Sequence, residues 1–468
     1  MAIPANTVWE VRYDGDNTNG GGWVTGSSGT DYSQQAAAQW SVTDAVTNNT
    51  TTITSATANF NSSVVGNVLY IVVGGTAYRR YVTTYTNSTT IVVDATLSAG
   101  SGQTMKIGGA VATMGGSVLA SGGSARQQTA GNIIYVKYNA SAYSFSTSYC
   151  AYSGTIAAPN YIVGYDTTRT LDNTDSNRPT FQSTSGSTYS FYVSGSCWYF
   201  RNLIVDCNNQ LFSYAAALAN GGVGHIFERC DFLNYYGSSC IDQQSCNYIS
   251  MIRCRFVGNT SAYSIGGTRI TGHTYIENCE FLAGRYAINV ATVATTVIIR
   301  NTTFKGCVLA ALICTQSGGL LHVTNCNFVG NTTHAIDISG ATPIASLFEN
   351  CIVTNNGGWG WYATSRKDVR ILNCAGYSNT SGNYNSSYIT NVTGFISLSG
   401  DPFVDRTNNN FALDTTASEG NALRQVGYPT SSASGSSTNY LDIGAIQNTS
   451  SSSGGIKTHP GMNGGING

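Results

Sequence analysis

Apolar and polar residues alternate with a period of two in short runs along this chain, and beyond residue 200 the runs themselves recur. The segment Tyr275 to Gly284 reads YIENCEFLAG, and Val323 to Asn331 reads VTNCNFVGN. Aligning on the shared Cys-x-Phe gives Cys230/Phe232, Cys254/Phe256, Cys279/Phe281, Thr302/Phe304, Cys326/Phe328, Cys351/Val353 and Cys374/Gly376, in steps of 23 to 25 residues. An earlier copy places Leu203 27 residues before Cys230. About ten residues after each column position comes a second apolar run: SCIDQ, YSIGG, YAINV, ALIC, HAIDI, WGWYA. Between the runs stand Asn234, Gly258-Asn259, Gly284, Gly330-Asn331 and Asn355-Asn356, residues that favour turns.

Strand, turn, strand, turn, repeated with a fixed period and without a helical pattern, predicts one coil of a parallel β-helix per repeat. In ENCEF, Cys279 and Phe281 share one side of a pleated strand and Glu280 the other, so the Cys and Phe point inward. Stacked at about 4.8 Å per coil, each residue type lies on its own kind, and Cys serves as a small buried hydrophobe. Immediately before the column run Asn202, Arg229, Arg253, Asn278, Asn301, Asn325, Asn350 and Asn373. Asn tolerates left-handed backbone and bonds to neighbouring backbone, so this file is predicted to turn each coil.

These coils resemble the right-handed parallel β-helix repeats of the pectate-lyase-like superfamily, over roughly residues 110–445. The fold expected is therefore all-β: a right-handed parallel β-helix, with additions at both ends. Residues 1–40, containing VWEVRYDGDNTNGGGW, read as an entry segment similar to those of β-helix proteins carried by tailed bacteriophages. Residues 41–108 read as an inserted small β unit, with strands at 51–60, 67–73, 78–85 and 89–94. The β-helix is expected over 109–400. Residues 401–450, with DPFVDRTNNNFAL and YLDIGAIQ, read as a cap over its open end, and 451–468 as a Gly/Ser-rich tail unable to bury a core.

Composition narrows the function. Charged residues are 10% of the 468 and the formal net charge is -1, which gives no nucleic-acid or membrane-surface footprint. No run approaches a membrane span, and the first residues lack the basic and apolar stretches of a signal peptide. Synthesis and folding in a host cytoplasm are expected, with the 13 cysteines reduced. Their spacing fits no metal site, so neither metal nor cofactor is expected.

Chemistry on a β-helix polysaccharide hydrolase needs two outward carboxylates across a scissile bond. The position after the Cys column runs Asp231, Arg255, Glu280, Thr303, Asn327, which places Asp231 and Glu280 two coils, or about 9.6 Å, apart. Arg255 stands between them, and a carboxylate neutralised by arginine is the opposite of a general acid. The pair reads as a structural ladder first and as catalytic residues second. The outward column of the second strand reads Asp242, Gly266, Asn289, Ile313, Asp337, too widely spaced for a shared bond. His334 reads as a strand-end or core residue. Among the 29 Tyr and 6 Trp, Tyr263, Tyr286 and Trp359 begin second strands and Trp361 follows; they read as core packing first and as candidates for stacking on a glycan or partner second.

Two functions follow from the resemblance. The first is a non-catalytic structural or adhesin protein of a phage virion: a spike, appendage or capsid decoration, docked to other virion proteins through residues 451–468 and displaying a stiff face for host attachment. The second is a tailspike-type depolymerase, a hydrolase or lyase of host surface glycan, with Asp231 and Glu280 as its acids. Similarity to tailspikes also implies a homotrimer.

Overall fold

The computed structural model describes residues 4–114, 129–145, 148–150, 152–183, 189–208, 211–219, 223–243, 246–258, 268–290, 296–314, 319–340, 345–364, 368–414, 416, 418–424, 427 and 443–445. The chain winds as a right-handed parallel β-helix, and successive coils pair in continuous register. One face carries thirteen strands among the described residues, all parallel except Gly22–Val24 at the N-terminal edge.

From Tyr248 to Tyr384 each coil holds three short strands where the repeat predicted two; the coil before it runs its last two together as Asp231–Gln243. His273–Glu277, Glu280–Leu282 and Ile288–Val290 make one coil, and Thr296–Arg300, Thr303–Lys305 and Leu312–Cys314 the next. Tyr275 pairs with Ile298, Glu280 with Thr303 and Asn289 with Ile313. The extra strand arises because the Asn file does more than bend the chain. Asn202, Arg229, Arg253, Asn278, Asn301, Asn325, Asn350 and Asn373 all have φ between 47° and 57°, the left-handed region, which breaks ENCEF into two strands at Asn278. The file is also cross-bonded: Asn350 Nδ2 donates to Asn325 Oδ1 at 3.1 Å, and Asn325 Nδ2 to Asn301 Oδ1 at 3.3 Å.

Inside the coils the like-on-like stacking is literal. The rings of Phe232, Phe256, Phe281, Phe304 and Phe328 form one file, with neighbouring centroids 4.4 to 5.2 Å apart and planes within 14° of parallel. Beside it Cys230, Cys254, Cys279, Thr302, Cys326, Cys351 and Cys374 are all buried, and no disulfide joins them. The sulfurs still bond: Cys254 Sγ donates to Phe227 O at 3.3 Å, and Cys279 Sγ accepts from Cys254 N at 3.4 Å. At the following turn a second polar file, Asn331, Asn356 and Asn379, is buried, with Asn331 Nδ2 donating to Asn356 Oδ1 at 2.8 Å and Asn356 Nδ2 to Asn379 Oδ1 at 2.7 Å. Buried amides satisfied this way fix one coil over the next, since any slip leaves them unpaired.

At the N-terminal end, Thr7–Val11 joins the first face beside Ile133–Lys137 and buries Trp9, whose Nε1 donates to Asn132 Oδ1 at 3.0 Å. The inserted unit is a closed six-stranded antiparallel barrel: Trp40–Thr47, Thr52–Thr54, Thr90–Val93, Thr76–Asn87, Val68–Val73 and Gly100–Ile107, in spatial order. Its first and last strands lie beyond the four that were predicted, and the long run at 51–60 shrinks to Thr52–Thr54. Arg79 fastens the barrel to the entry loop through Gly20 O at 3.1 Å, Asn17 O at 2.8 Å and Asn19 O at 3.0 Å. Gly20 itself has no alternative residue, because a Cβ there would sit 1.8 Å from Val68 O.

The described parts of the segment expected to cap the last coil, residues 401–450, lie along the flank. Phe403–Asp405 and Asn410–Leu413 form a hairpin along the flank, burying Phe403, Phe411 and Leu413 against the outward side chains of Val329, Ile352 and Ala375. Ile443 joins them, with Gly444 N bonded to Asn350 O at 2.8 Å. What packs on the core at that end is Tyr384, Tyr388, Ile389 and Phe395. The tail 451–468 lies outside the described residues.

Candidate functional site

Asp231, Arg255 and Glu280 occupy successive coils in the predicted register, Asp231 beside Arg255 and Arg255 beside Glu280. Their surroundings differ. Glu280 is exposed, whereas Asp231 is buried and both of its oxygens are engaged by one guanidinium: Arg178 Nη1 lies 3.0 Å from Oδ1 and Nη2 2.6 Å from Oδ2. Arg255 Nη1 stands 3.9 Å from Oδ2, too far for a hydrogen bond. The neutralising partner of Asp231 is thus Arg178, a residue the column comparison did not include.

Thr180, Ile204 and Asp231 pair in register, so two residues earlier Arg178 stands in line with Asn202 and Arg229, followed by Arg253. Where most coils turn on Asn, those of Arg229 and Arg253 turn on Arg, and Arg178 joins them without a left-handed backbone. Their side chains, with Arg255, Asp231, Asp175 and Ser176, line an open cleft of about 340 Å³. Four guanidiniums face two carboxylates. Asp175 is committed to its own loop, accepting from Asp166 N at 2.7 Å and Asn173 Nδ2 at 3.1 Å. Burial disfavours the charge on Arg229, and so do the neighbouring guanidiniums of Arg178, Arg253 and Arg201. Its Nη2 reaches Thr174 O at 3.0 Å, while its buried Nε has no partner among the described residues. Arg253 comes only to 3.8 Å from Glu228, and its donors have no hydrogen-bond partner among the described residues. The signal for this cluster was visible in the sequence as Arg229 and Arg253 breaking the Asn file.

The aromatic candidates do not form one platform. Tyr286 and Trp359 are half-buried and three coils apart, about 14 Å at the inter-strand spacing, and the coil between them nearest Tyr286 offers buried Ala310. Arg285 lies over the Tyr286 ring at 5.5 Å. Trp361 is fully buried against Phe348 and Phe395, with centroids at 5.9 and 6.0 Å, so it is a core residue and presents no face to a ligand. Tyr263 lies outside the described residues.

In register along the third strands stand Asp242, Arg269, Asn289, Ile313 and Asp337, with Arg269 in place of the expected Gly266, and Asp242 is buried. His334 stacks on Tyr362 at 4.2 Å and its Nδ1 accepts from Trp359 N at 3.0 Å; burial depresses its pKa, in keeping with a packing role. Among the described residues no cluster of His, Cys, Asp and Glu is arranged to hold a metal ion, and no helix is long and apolar enough to cross a membrane.

Residues 189–345 match the family described as "Right handed beta helix region". No curated protein matches the chain. Among solved structures, pectate lyase Pel9A is 16% identical, with a TM-score of 0.46 over 70% of this chain and 93% of that one. Tailspike protein 3 of bacteriophage CBA120 is 15% identical, with a TM-score of 0.25 over 57% and 55%. Tailspike protein gp49 of Pseudomonas phage LKA1 is 11% identical, with a TM-score of 0.22 over 71% and 65%.

Proposed function

We propose that this right-handed parallel β-helix is a non-catalytic attachment or display protein of a tailed-bacteriophage virion, presenting a stiff lateral face to host surface glycan. The observation that carries the non-catalytic half is the two-point grip of Arg178 on Asp231. With both oxygens held, Asp231 has none directed at a substrate, and the exposed Glu280 is left without the second carboxylate that glycoside hydrolysis needs. The display half draws on the internal files of Phe, Cys and Asn, which tie each coil to its neighbours and make the body a rod. The virion setting draws on the entry segment, which resembles those of phage-borne β-helix proteins. In this reading the protein docks onto other virion proteins through residues 451–468 and assembles as a trimer.

The test is a pair of assays on the full-length protein. Labelled protein is incubated with host cells, and with purified capsule and lipopolysaccharide, while released reducing ends and unsaturated products are measured in parallel. Saturable binding without turnover is the expected result. Turnover abolished in both Asp231→Asn and Glu280→Gln would replace this reading with a depolymerase.

A further inference from the structure

We infer that the cleft walled by Arg229, Arg253 and Arg255 is a binding site for an oxyanion group (carboxylate, sulfate or phosphate) carried on an acidic saccharide. Three independent features of the chain converge on it.

The first is the backbone. Arg229 and Arg253 hold φ of 53° and 54°, a region that strains every residue with a Cβ and is best tolerated by Gly and Asn. Asn serves that position in Asn202 and from Asn278 through Asn373. Strain kept at consecutive coils, where a relaxed residue serves elsewhere in the same file, points to a role for the side chain.

The second is charge. In a chain with only 22 Lys and Arg, four arginines converge on one opening, against Asp231 and Asp175. Asp231 is taken by Arg178, and Asp175 by its own loop. The guanidiniums of Arg253 and Arg255, with side chains 37% and 48% exposed, stand at 3.8 and 3.9 Å from their nearest carboxylates and retain donors for a ligand. Planar forks of this kind take carboxylate, sulfate or phosphate in two-point contacts.

The third is size. A cleft of about 340 Å³ falls at the lower end of the roughly 300–1,000 Å³ of small-molecule sites, the size of a sugar ring with its charged substituent. The site is one concave spot on a body of net charge -1, not a stripe, and so suits a saccharide substituent better than a nucleic-acid backbone. The saccharide part of the inference rests on the attachment reading above; the oxyanion part does not.

The experiment is a calorimetric titration of the full chain with oligogalacturonate, dextran sulfate, neutral dextran and a short DNA duplex, at two salt concentrations. Expected is salt-sensitive binding of one or both acidic saccharides and none of neutral dextran. Affinity should fall about tenfold or more in Arg253→Asn, which restores the turn residue of other coils and keeps the fold, and again in Arg253→Asn with Arg255→Gln. Arg370→Gln, an exposed arginine near the other end, should leave affinity unchanged. Equal weakening by Arg370→Gln, equal binding of the DNA duplex, or no binding of either acidic saccharide overturns the proposal. If the acidic saccharides bind through these arginines yet the protein captures no host cells or host glycan, the cleft stands and the attachment reading fails.

Discussion

The rings of Phe256 and Phe281, one coil apart, lie 4.4 Å centroid to centroid with their planes 5° from parallel. Each is sandwiched in turn by the next ring of the file, so every internal Phe has two aromatic neighbours and no contact with water. Phe281→Ala should therefore open a cavity inside the stack and cost about 3–5 kcal/mol, with Phe281→Leu costing less. Urea unfolding followed by tryptophan fluorescence reads the difference. A Phe281→Ala variant as stable as the parent would mean the file is not a packed core.

The turn file supplies a prediction of opposite sign. Arg253→Asn places a residue suited to φ near 54° where a strained one stands, and should stabilise the fold by about 1 kcal/mol. Asn350→Ala does the reverse: it strains the turn and removes the amide that bonds to Asn325, for a loss of about 1–3 kcal/mol. Thermal melting of the two variants side by side tests both directions.

Glu10 gives the molecule a pH dependence. It is fully buried, accepts from the hydroxyl of Tyr165, and meets Arg169 Nη1 at 3.2 Å. Burial raises its pKa from 4.5 to about 7, with Arg169 and Tyr165 opposing the rise. The folded protein thus binds a proton here that the unfolded chain has released between pH 4.5 and about 7. Stability should fall as pH rises through that window, by roughly 3 kcal/mol in all, and level off above it. Glu10→Gln should flatten this part of the profile; a parent whose stability rises across the window contradicts the assignment.

The 13 thiols are free and buried, and burial pushes those of Cys230, Cys254 and Cys374 well above the ordinary cysteine value. Native protein should be nearly inert to a thiol-specific chromogenic reagent at pH 8, and release the full count on denaturation. Rapid labelling of one or two sites in native protein would mark a coil that opens locally.

The solenoid was legible because its cause is repetitive: an inward Cys and Phe recur every coil, and Asn tolerates the left-handed turn that follows from them. The third strand was not, since nothing in ENCEF distinguishes a bend from a break until Asn278 adopts positive φ. Which of the rings of 359–362 is core is illegible for a similar reason. In WGWYA, strand parity decides which ring is core, and parity is fixed by pairing with Ile336. The place of the lateral hairpin is not legible either, because Phe403 and Phe411 say that something apolar is covered without saying what. Of the cleft, Asp231 and Arg255 were in view from the column, while Arg178 was hidden because it reaches past Asn202 to a residue 53 positions on.

That hairpin has a consequence for how the molecule could lengthen. Coils between the entry segment and Lys305 lie clear of the hairpin, so a whole repeat could be duplicated there and the thread would simply grow by one pitch. From Lys305 to Ala375 the hairpin grips four consecutive turns at fixed intervals, like a clasp cut for that segment, and an extra turn inserted under it would pull its aromatic teeth out of place. Natural variation in reach should accumulate on the near side of the clasp.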